Sequence, residues 1–198
     1  MDDAAPDPDP FVRFERWYAE AHASDLVFPE AMALATATAD GRPAVRMVLL
    51  KGHDASGFAF YTNLESRKGN ELAANPYAAL VFYWQPLDRQ VRVEGTVERV
   101  AGDEAQAYFD TRPHGSRIAA WASPQSRPVT SRTELERLYA QAENDLGGVE
   151  DPRLPPHWGG YRVRPEAFEF WHSRPNRLHD RIRYERAGDG WMHVRLAP

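Results

Sequence analysis

The sequence predicts an α+β protein, mainly antiparallel β: a small barrel with peripheral helices. Three observations carry this. Roughly six strand-like segments follow one another at hairpin spacing, helical segments lie between them, and no G-x-G-x-x-G or P-loop pattern joins a strand to a helix. The last point argues against a doubly wound sheet, and closure into a barrel would remove exposed sheet edges.

Each element has a local cause. Phe11, Phe14, Trp17, Tyr18 and Ala21 recur at the spacing of an amphipathic helix that ends near Ser24-Asp25. Met32–Thr38 and Val45–Lys51 form a hairpin about Ala39–Arg42, where Asp-Gly supplies a positive φ. A turn at Asp54–Gly57 leads to a strand at Phe58–Thr62. Asn63–Asn75 carries helix formers and stops at Pro76. Tyr77–Trp84 and Arg89–Val100 are β-like and joined by Gln85–Asp88. In the second of these, Val91, Val93 and Val97 share one face while Gln90, Arg92, Glu94, Thr96 and Glu98 share the other. Asp103–Trp121 is helical with a break at Pro113, and Ser131-Arg-Thr-Glu134 has the form of a capping box opening a helix with the stripe Leu135, Leu138, Ala142 and Leu146. After a loop at Gly147–Pro156, strands return at Gly160–Val163, Ala167–Trp171, Arg181–Tyr184 and Trp191–Leu196.

Composition narrows the chemistry. The 198 residues fit one domain, expected over 11–198, behind an acidic, proline-rich and disordered tail at 1–10. There is no cysteine, which excludes disulfides, thiolate metal sites and a thiol nucleophile. No apolar run approaches the ~20 residues of a membrane span, and the formal net charge of −5 offers no general attraction to nucleic acid or anionic membranes. A cytoplasmic protein with neither partner is expected. The histidines show no metal-ligand spacing, so no metal site is expected.

Three clusters carry chemical potential. Arg46 and Lys51 share a strand, and Ser66, Arg67 and Lys68 open the next helix, where free N–H groups and the dipole favour an anion. Ser66-Arg67-Lys68 alone reads better as a solvated helix start, but Arg46 inside an apolar strand does not. Tyr108, Arg112 and Ser116, spaced four and four, would share one side of a continuing helical path. Pro113 interrupts that path, and spacing alone favours a surface Arg and a partly buried Tyr. Arg177, His179 and Arg181 fall on one face of an extended segment, which reads equally well as a charged surface strand. The tryptophans, among them Trp84, Trp121, Trp158 and Trp171, are by type more often core than cofactor platforms.

At these same clusters the chain resembles the pyridoxine/pyridoxamine 5′-phosphate oxidase family, from Phe14 to Pro198. The matching motifs are Arg46-Met-Val-Leu-Leu-Lys51, Phe60-Tyr-Thr-Asn63, Ser66-Arg-Lys68, Arg89-Gln-Val-Arg-Val-Glu-Gly95, Tyr108-Phe-Asp-Thr-Arg-Pro113, Ala120-Trp-Ala-Ser-Pro-Gln-Ser126, Trp158-Gly-Gly-Tyr161, Phe170-Trp171, Arg177-Leu-His-Asp-Arg181 and Arg195-Leu-Ala-Pro198.

The resemblance implies an FMN-binding split β-barrel in which a homodimer builds two FMN sites across its interface. It implies FMN contacts at Arg46, Met47, Val48, Leu49, Leu50, Lys51, Tyr61, Thr62, Arg67, Lys68, Gln90, Gln125, Ser126, Trp171 and Arg181. It assigns the substrate's 5′-phosphate to Lys51, Tyr108, Arg112 and Ser116, and the ring at C4′ to Arg177 and His179. In the implied reaction C4′ yields a hydride to the flavin, and O2 becomes hydrogen peroxide as the alcohol or amine becomes pyridoxal 5′-phosphate. Arg177 and His179 are expected chiefly to position the substrate, with proton removal as a further role.

Two departures stand out. Met1–Pro10 is short and acidic where the family often has a longer basic segment, and Arg117 and Ala119 replace the usual Gln and Gly. Two other functions stay open: a sister split-barrel flavin oxidase acting on a substrate such as a dihydrophenazine precursor, and a non-catalytic flavin- or product-binding module. Retention of all the phosphate-gripping residues argues against the first, and the second predicts binding without oxygen consumption.

Overall fold

The computed structural model describes residues 7–146 and 152–198, and among them lie nine strands and five helices. In chain order these are α1 (Pro10–His22), β1 (Ala31–Ala37), β2 (Pro43–Leu49), β3 (Gly52–Asp54), β4 (Gly57–Asn63), α2 (Arg67–Ala74), β5 (Tyr77–Trp84), β6 (Arg89–Arg99), α3 (Gly102–Asp110), α4 (His114–Ala122), α5 (Arg132–Asp145), β7 (Trp158–His172), β8 (Asp180–Ala187) and β9 (Gly190–Arg195).

All the strands join one antiparallel sheet in the order β2-β1-β5-β6-β7-β4-β3, with β8 and β9 branching from β7. The two ends of that order are neighbours in sequence. Leu50 and Lys51 link β2 to β3, and the Lys51 amide donates to the Ala59 carbonyl at 2.9 Å. The sheet therefore curls until β2 lies against β4 without a ladder between them, leaving the expected barrel split.

The two strands expected at Gly160–Val163 and Ala167–Trp171 are halves of one strand, the 15-residue β7. Pro165 has no N–H to donate and so reads in sequence as an interruption. The fold absorbs it at a β-bulge, where the β6–β7 register shifts between Glu94 and Gly95. Gly95 is required there, because a Cβ would stand 2.0 Å from the Arg164 carbonyl oxygen.

The first half of β7 pairs with β4 and the second with β8, while β6 covers its other edge throughout. Alternation then turns Val91, Val93, Phe168 and Phe170 into the core with Leu34, Phe60, Leu80 and Phe82. The opposite face of these strands stays outside.

Helix α1 packs against this core. Asp9 caps it by accepting from the Phe11 amide at 2.9 Å, and Pro10 takes the first turn, where a missing N–H costs nothing. The Phe14 ring lies 4.8 Å from Phe58 and 5.2 Å from Phe82. Of the tail expected at 1–10, Asp7 pairs with Arg16 and accepts through its carbonyl from Tyr184, and Pro10 opens α1, while residues 1–6 lie outside the described residues.

Three helical expectations need adjustment. Helix α2 begins at Arg67 rather than Asn63, because Ser66 caps it by accepting from the Gly69 amide. Pro113 separates α3 from α4 outright. The capping box of α5 closes one residue early: Ser131 accepts from the Glu134 amide, but the Glu134 carboxylate takes the Thr130 amide at 2.6 Å. The stripe Leu135–Leu146 meets α4 only at the surface, and no α5 residue is fully buried. Of the loop expected at Gly147–Pro156, residues 147–151 lie outside the described residues.

Phe14 is fully buried among aromatic rings, so Phe14→Ala should destabilise the protein by about 3–5 kcal/mol. Urea unfolding measures this; a loss below about 1 kcal/mol would mean that α1 is not part of the core.

Candidate active site

The first cluster comes together where β2, α2 and the loop after α4 meet. Arg46 points inward from β2 and donates to the Leu34 carbonyl (3.2 Å), the Thr36 hydroxyl (2.5 Å) and the Glu71 carboxylate (2.9 Å). Glu71, on α2, is buried and also accepts from Arg67 at 2.7 Å and from the Thr36 hydroxyl. Burial pushes the Glu71 carboxyl up, but the hydrogen bonds from Thr36, Arg67 and Arg46 outweigh it and hold it below its usual range. Lys68 donates to Thr62 (3.0 Å), Ser66 (3.3 Å) and the Gln125 side-chain oxygen (2.8 Å). Its burial, with Arg46 adding repulsion, lowers the ammonium to about 8.

Three cations thus face one carboxylate. One of them, Arg67, lines an open cavity of 620 Å³ together with Thr38, Asn70, Glu71, Gln125 and Ser126. Ser126 takes a left-handed φ of 70° beside Gln125, which fixes the loop by accepting from Thr62 at 3.0 Å. Surplus positive charge, a partly desolvated lysine and a helix opening suit the phosphate of a mononucleotide. Lys51 lies at the end of β2, exposed, with its side chain open to a ligand.

The second cluster lies on the other side of β4. Thr62 meets Lys68, whereas its neighbour Tyr61 turns away and stacks on Tyr108 at 4.1 Å. Trp158 lies parallel to both rings, and the Arg112 guanidinium sits 4.8 Å over it. Gly160 makes room for Tyr61, since a Cβ there would stand 2.7 Å from the ring. Arg112 Nη1 is buried with no hydrogen-bond partner among the described residues. Burial lowers the guanidinium and raises the Tyr108 phenol, and each partly offsets the other. An orphaned buried cation nitrogen marks a place for an anion. Ser116 stands in the first turn of α4, and among the described residues no hydrogen bond joins it to Tyr108 or Arg112. The continuous helical path expected for the trio is replaced by the α3–α4 break.

The third cluster belongs to another region. Gln90, Trp171 and Arg181 lie in register across β6, β7 and β8. Arg181 donates to buried Glu169 at 2.7 Å and to the Ala197 carbonyl at 2.9 Å; the Glu169 bond raises its pKa further. Arg177 is not in an extended segment: Pro175–Arg177 is a 3-10 turn with φ of 59° at Asn176 and 62° at Arg177. The His179 ring lies 4.7 Å from Trp171, and its Nδ1 accepts from the Arg174 amide at 3.1 Å. Eleven residues of β7 separate Gly160, opposite Tyr61, from Trp171, opposite Arg181, which is roughly 35 Å along a strand. Among the described residues no hydrogen bond, ion pair or ring contact joins this cluster to the other two.

A surface beside the third cluster invites a second copy. On β2 the side chains of Val45, Met47 and Leu49 point outward, 70%, 64% and 38% exposed, while Val48 turns inward and Leu50 enters the core. Tyr77 and Tyr83 of β5 are also exposed, and Tyr83 is the register partner of Gln90. So large an exposed apolar face marks an interface.

The residues that sequence reading missed are the supports. Glu71 lies four residues after Arg67, a helical ion-pair spacing that could have been noticed. Trp158 looked like plain core and is indeed buried, yet it is also the floor under Arg112.

A split barrel with a cation-bordered cavity on one side of β4 and a half-buried arginine on the other defines the class: a barrel with two places suited to anions. A family model described as "Pyridoxamine 5′-phosphate oxidase" matches residues 19–144, and one described as "Pyridoxine 5′-phosphate oxidase C-terminal dimerisation region" matches 158–198. A pyridoxine/pyridoxamine 5′-phosphate oxidase of Rubrobacter xylanophilus is 59% identical over 97% of this chain and 88% of its own; one of Bordetella petrii is 58% identical over 96% and 89%. A solved structure of PhzG from Burkholderia lata 383, in complex with tetrahydrophenazine-1-carboxylic acid, superposes with a TM-score of 0.91 at 33% identity, covering 98% of this chain and 94% of that one. The chain belongs to the pyridoxine/pyridoxamine 5′-phosphate oxidase family. As a member of that family it takes FMN as its cofactor, and it forms a homodimer, residues 158–198 matching the family's dimerisation region. Among the described residues no helix is long and apolar enough to cross a membrane.

Lys68, at about 8, is the titrating member of the first cluster. Its cation is present below that pH and lost above it, so the dissociation constant for FMN should rise as pH passes about 8. Flavin fluorescence titration measures this, and Lys68→Met should flatten the profile. A wild-type profile that is already flat through this range would remove Lys68 from the phosphate site.

Proposed function

We propose that the protein oxidises pyridoxine 5′-phosphate and pyridoxamine 5′-phosphate to pyridoxal 5′-phosphate with O2, releasing hydrogen peroxide, and ammonia from the amine. The observation that carries this is the pair of cationic groups on opposite faces of β4, Lys68 with its arginines reached through Thr62 and Arg112 reached through Tyr61. A flavin mononucleotide needs one phosphate site, and a phosphorylated substrate needs a second.

In this reading Arg46, Arg67 and Lys68, with Thr62, Gln125 and Ser126, hold the cofactor's phosphate and ribityl chain. Tyr61, Lys51 and the outer edge of Met47–Leu49 border the flavin, and Leu50, with its side chain in the core, contributes main chain alone. Gln90, Trp171 and Arg181 come from the partner subunit, a reading supported by the length of β7 between them and Tyr61. Bound FMN supplies the hydride acceptor and its reoxidation by O2. The substrate's 5′-phosphate pairs with Arg112 and Lys51 and takes hydrogen bonds from Tyr108 and Ser116. Arg177 and His179 cover the ring at C4′. Fixing the phosphate at one end and the ring at the other orients C4′, which is the protein's main contribution to rate.

The test is to load the protein with FMN, add pyridoxine 5′-phosphate in air, and follow pyridoxal 5′-phosphate together with hydrogen peroxide. Equal formation of both is expected. Arg112→Ala should raise KM by roughly 10- to 100-fold, the worth of one charged hydrogen bond, while FMN stays bound. Bound flavin without turnover on either vitamer would overturn the reading in favour of the phenazine-type oxidase or a binding module.

A further inference from the structure

We infer that Asp180 is a positioning residue that holds His179 as a hydrogen-bond donor, through Nε2–H, toward the substituent on C4′. The inference rests on the proposed assignment of His179 to the substrate site. Its starting point is the turn between β7 and β8. Two consecutive residues there, Asn176 and Arg177, are left-handed at φ 59° and 62°. Asparagine tolerates that conformation, but arginine does so only where its surroundings impose it.

The surroundings do impose it. The Asp180 carboxylate accepts from Arg174 Nε at 2.6 Å and from Arg195 Nη1 at 2.6 Å. One carboxylate therefore ties the residue before the turn to the start of β8 and the end of β9. The Arg174 bond is the largest effect on the Asp180 carboxyl; burial opposes it, and with the bond from Arg195 added the carboxyl is held below its usual range. With Arg174 held at its side chain, its amide donates to His179 Nδ1 at 3.1 Å. An N–H can only donate, so Nδ1 must offer a lone pair, and the single proton of the neutral ring sits on Nε2. Trp171, 4.7 Å away, limits rotation of the ring.

The consequence bears on the chemistry. With Nδ1 engaged and Nε2 protonated, the ring has no lone pair left to take a proton from the substrate. His179 orients the hydroxyl or amine on C4′ by donating to it, and the proton-removal role expected from the resemblance does not fall to it.

The experiment compares FMN-loaded wild type, Asp180→Asn and Arg195→Lys by steady-state kinetics and by long-range 1H–15N spectra of the histidine rings. Wild-type His179 should appear as the Nε2–H tautomer. Asp180→Asn should lose kcat by roughly 10- to 100-fold, as a misplaced orienting group does, with KM and FMN content nearly unchanged and an Nδ1–H form emerging. Arg195→Lys keeps a cation on Asp180 and should stay closer to wild type than Arg195→Ala; this pair also serves if Asp180→Asn folds poorly. Wild-type kcat and an unchanged His179 spectrum in Asp180→Asn would overturn the inference. So would an Nδ1–H tautomer in the wild type. If His179→Ala turns over normally, the assignment of His179 has failed instead, and the spectrum alone then judges whether Asp180 fixes the ring.

Discussion

One strand sets the terms for the whole molecule. A 15-residue strand must satisfy backbone groups along two edges, and β7 does so with β6 on one side and β4 followed by β8 on the other. The handover falls at the bulge opposite Gly95, where Pro165 has no amide to offer. From this follow both the curl that splits the barrel and the distance between its two chemical ends. Tyr61, Trp158 and the two cationic clusters lie at the first half of β7, and Trp171, Arg181 and His179 at the second. A site that needs both ends has to be assembled from two chains, and the apolar outer face of β2 and β5 gives them a surface on which to meet.

Within the first half, strand alternation does the sorting. Tyr61 and Thr62 are adjacent in sequence and serve different clefts, because successive side chains leave opposite faces. The two clefts keep their charge by different means. Arg46 and Arg67 share buried Glu71, which fixes their position while leaving net positive charge for a ligand. Among the described residues no carboxylate pairs with Arg112; it rests on the face of Trp158 with one nitrogen buried and unpaired. Such a nitrogen is costly in the free protein, and the cost is recovered when an anion arrives. The orientation of the second half is held by ion pairs as well: Glu169 on Arg181, and Asp180 on Arg174 and Arg195.

Much of this was legible in the residues. The period-two pattern of Arg89–Val100 located β6 and its polar face, helix formers ending at Pro76 located α2, a capping box located α5, and Pro113 divided α3 from α4. Arg46 stood out because a guanidinium inside an apolar strand needs a partner, and the structure supplies Thr36 and Glu71. What local pattern could not show was pairing at a distance. Pro165 made one strand look like two, since a bulge is visible only when the partner strand is known. Arg177 looked extended because nothing local announces a left-handed arginine; the carboxylate that enforces it is held from the far side by Arg195, late in the chain. The supporting roles of Trp158 and Glu71 were hidden for the same reason, because a core residue and a ligand-positioning residue have the same appearance until their neighbours are in view.

The account turns on each site drawing Arg112 from one subunit and His179 from the other. The direct measurement is complementation: prepare Arg112→Ala and His179→Ala separately, dissociate and reassociate them as a mixture, and assay the mixed dimers. A two-fold dimer with shared sites puts both substitutions in one site and leaves the other intact, so with substrate held below the wild-type KM, where both parents turn over poorly, random reassociation should restore about a quarter of wild-type activity. Mixed dimers that form yet recover nothing would place both residues in a single chain's site and contradict the shared architecture.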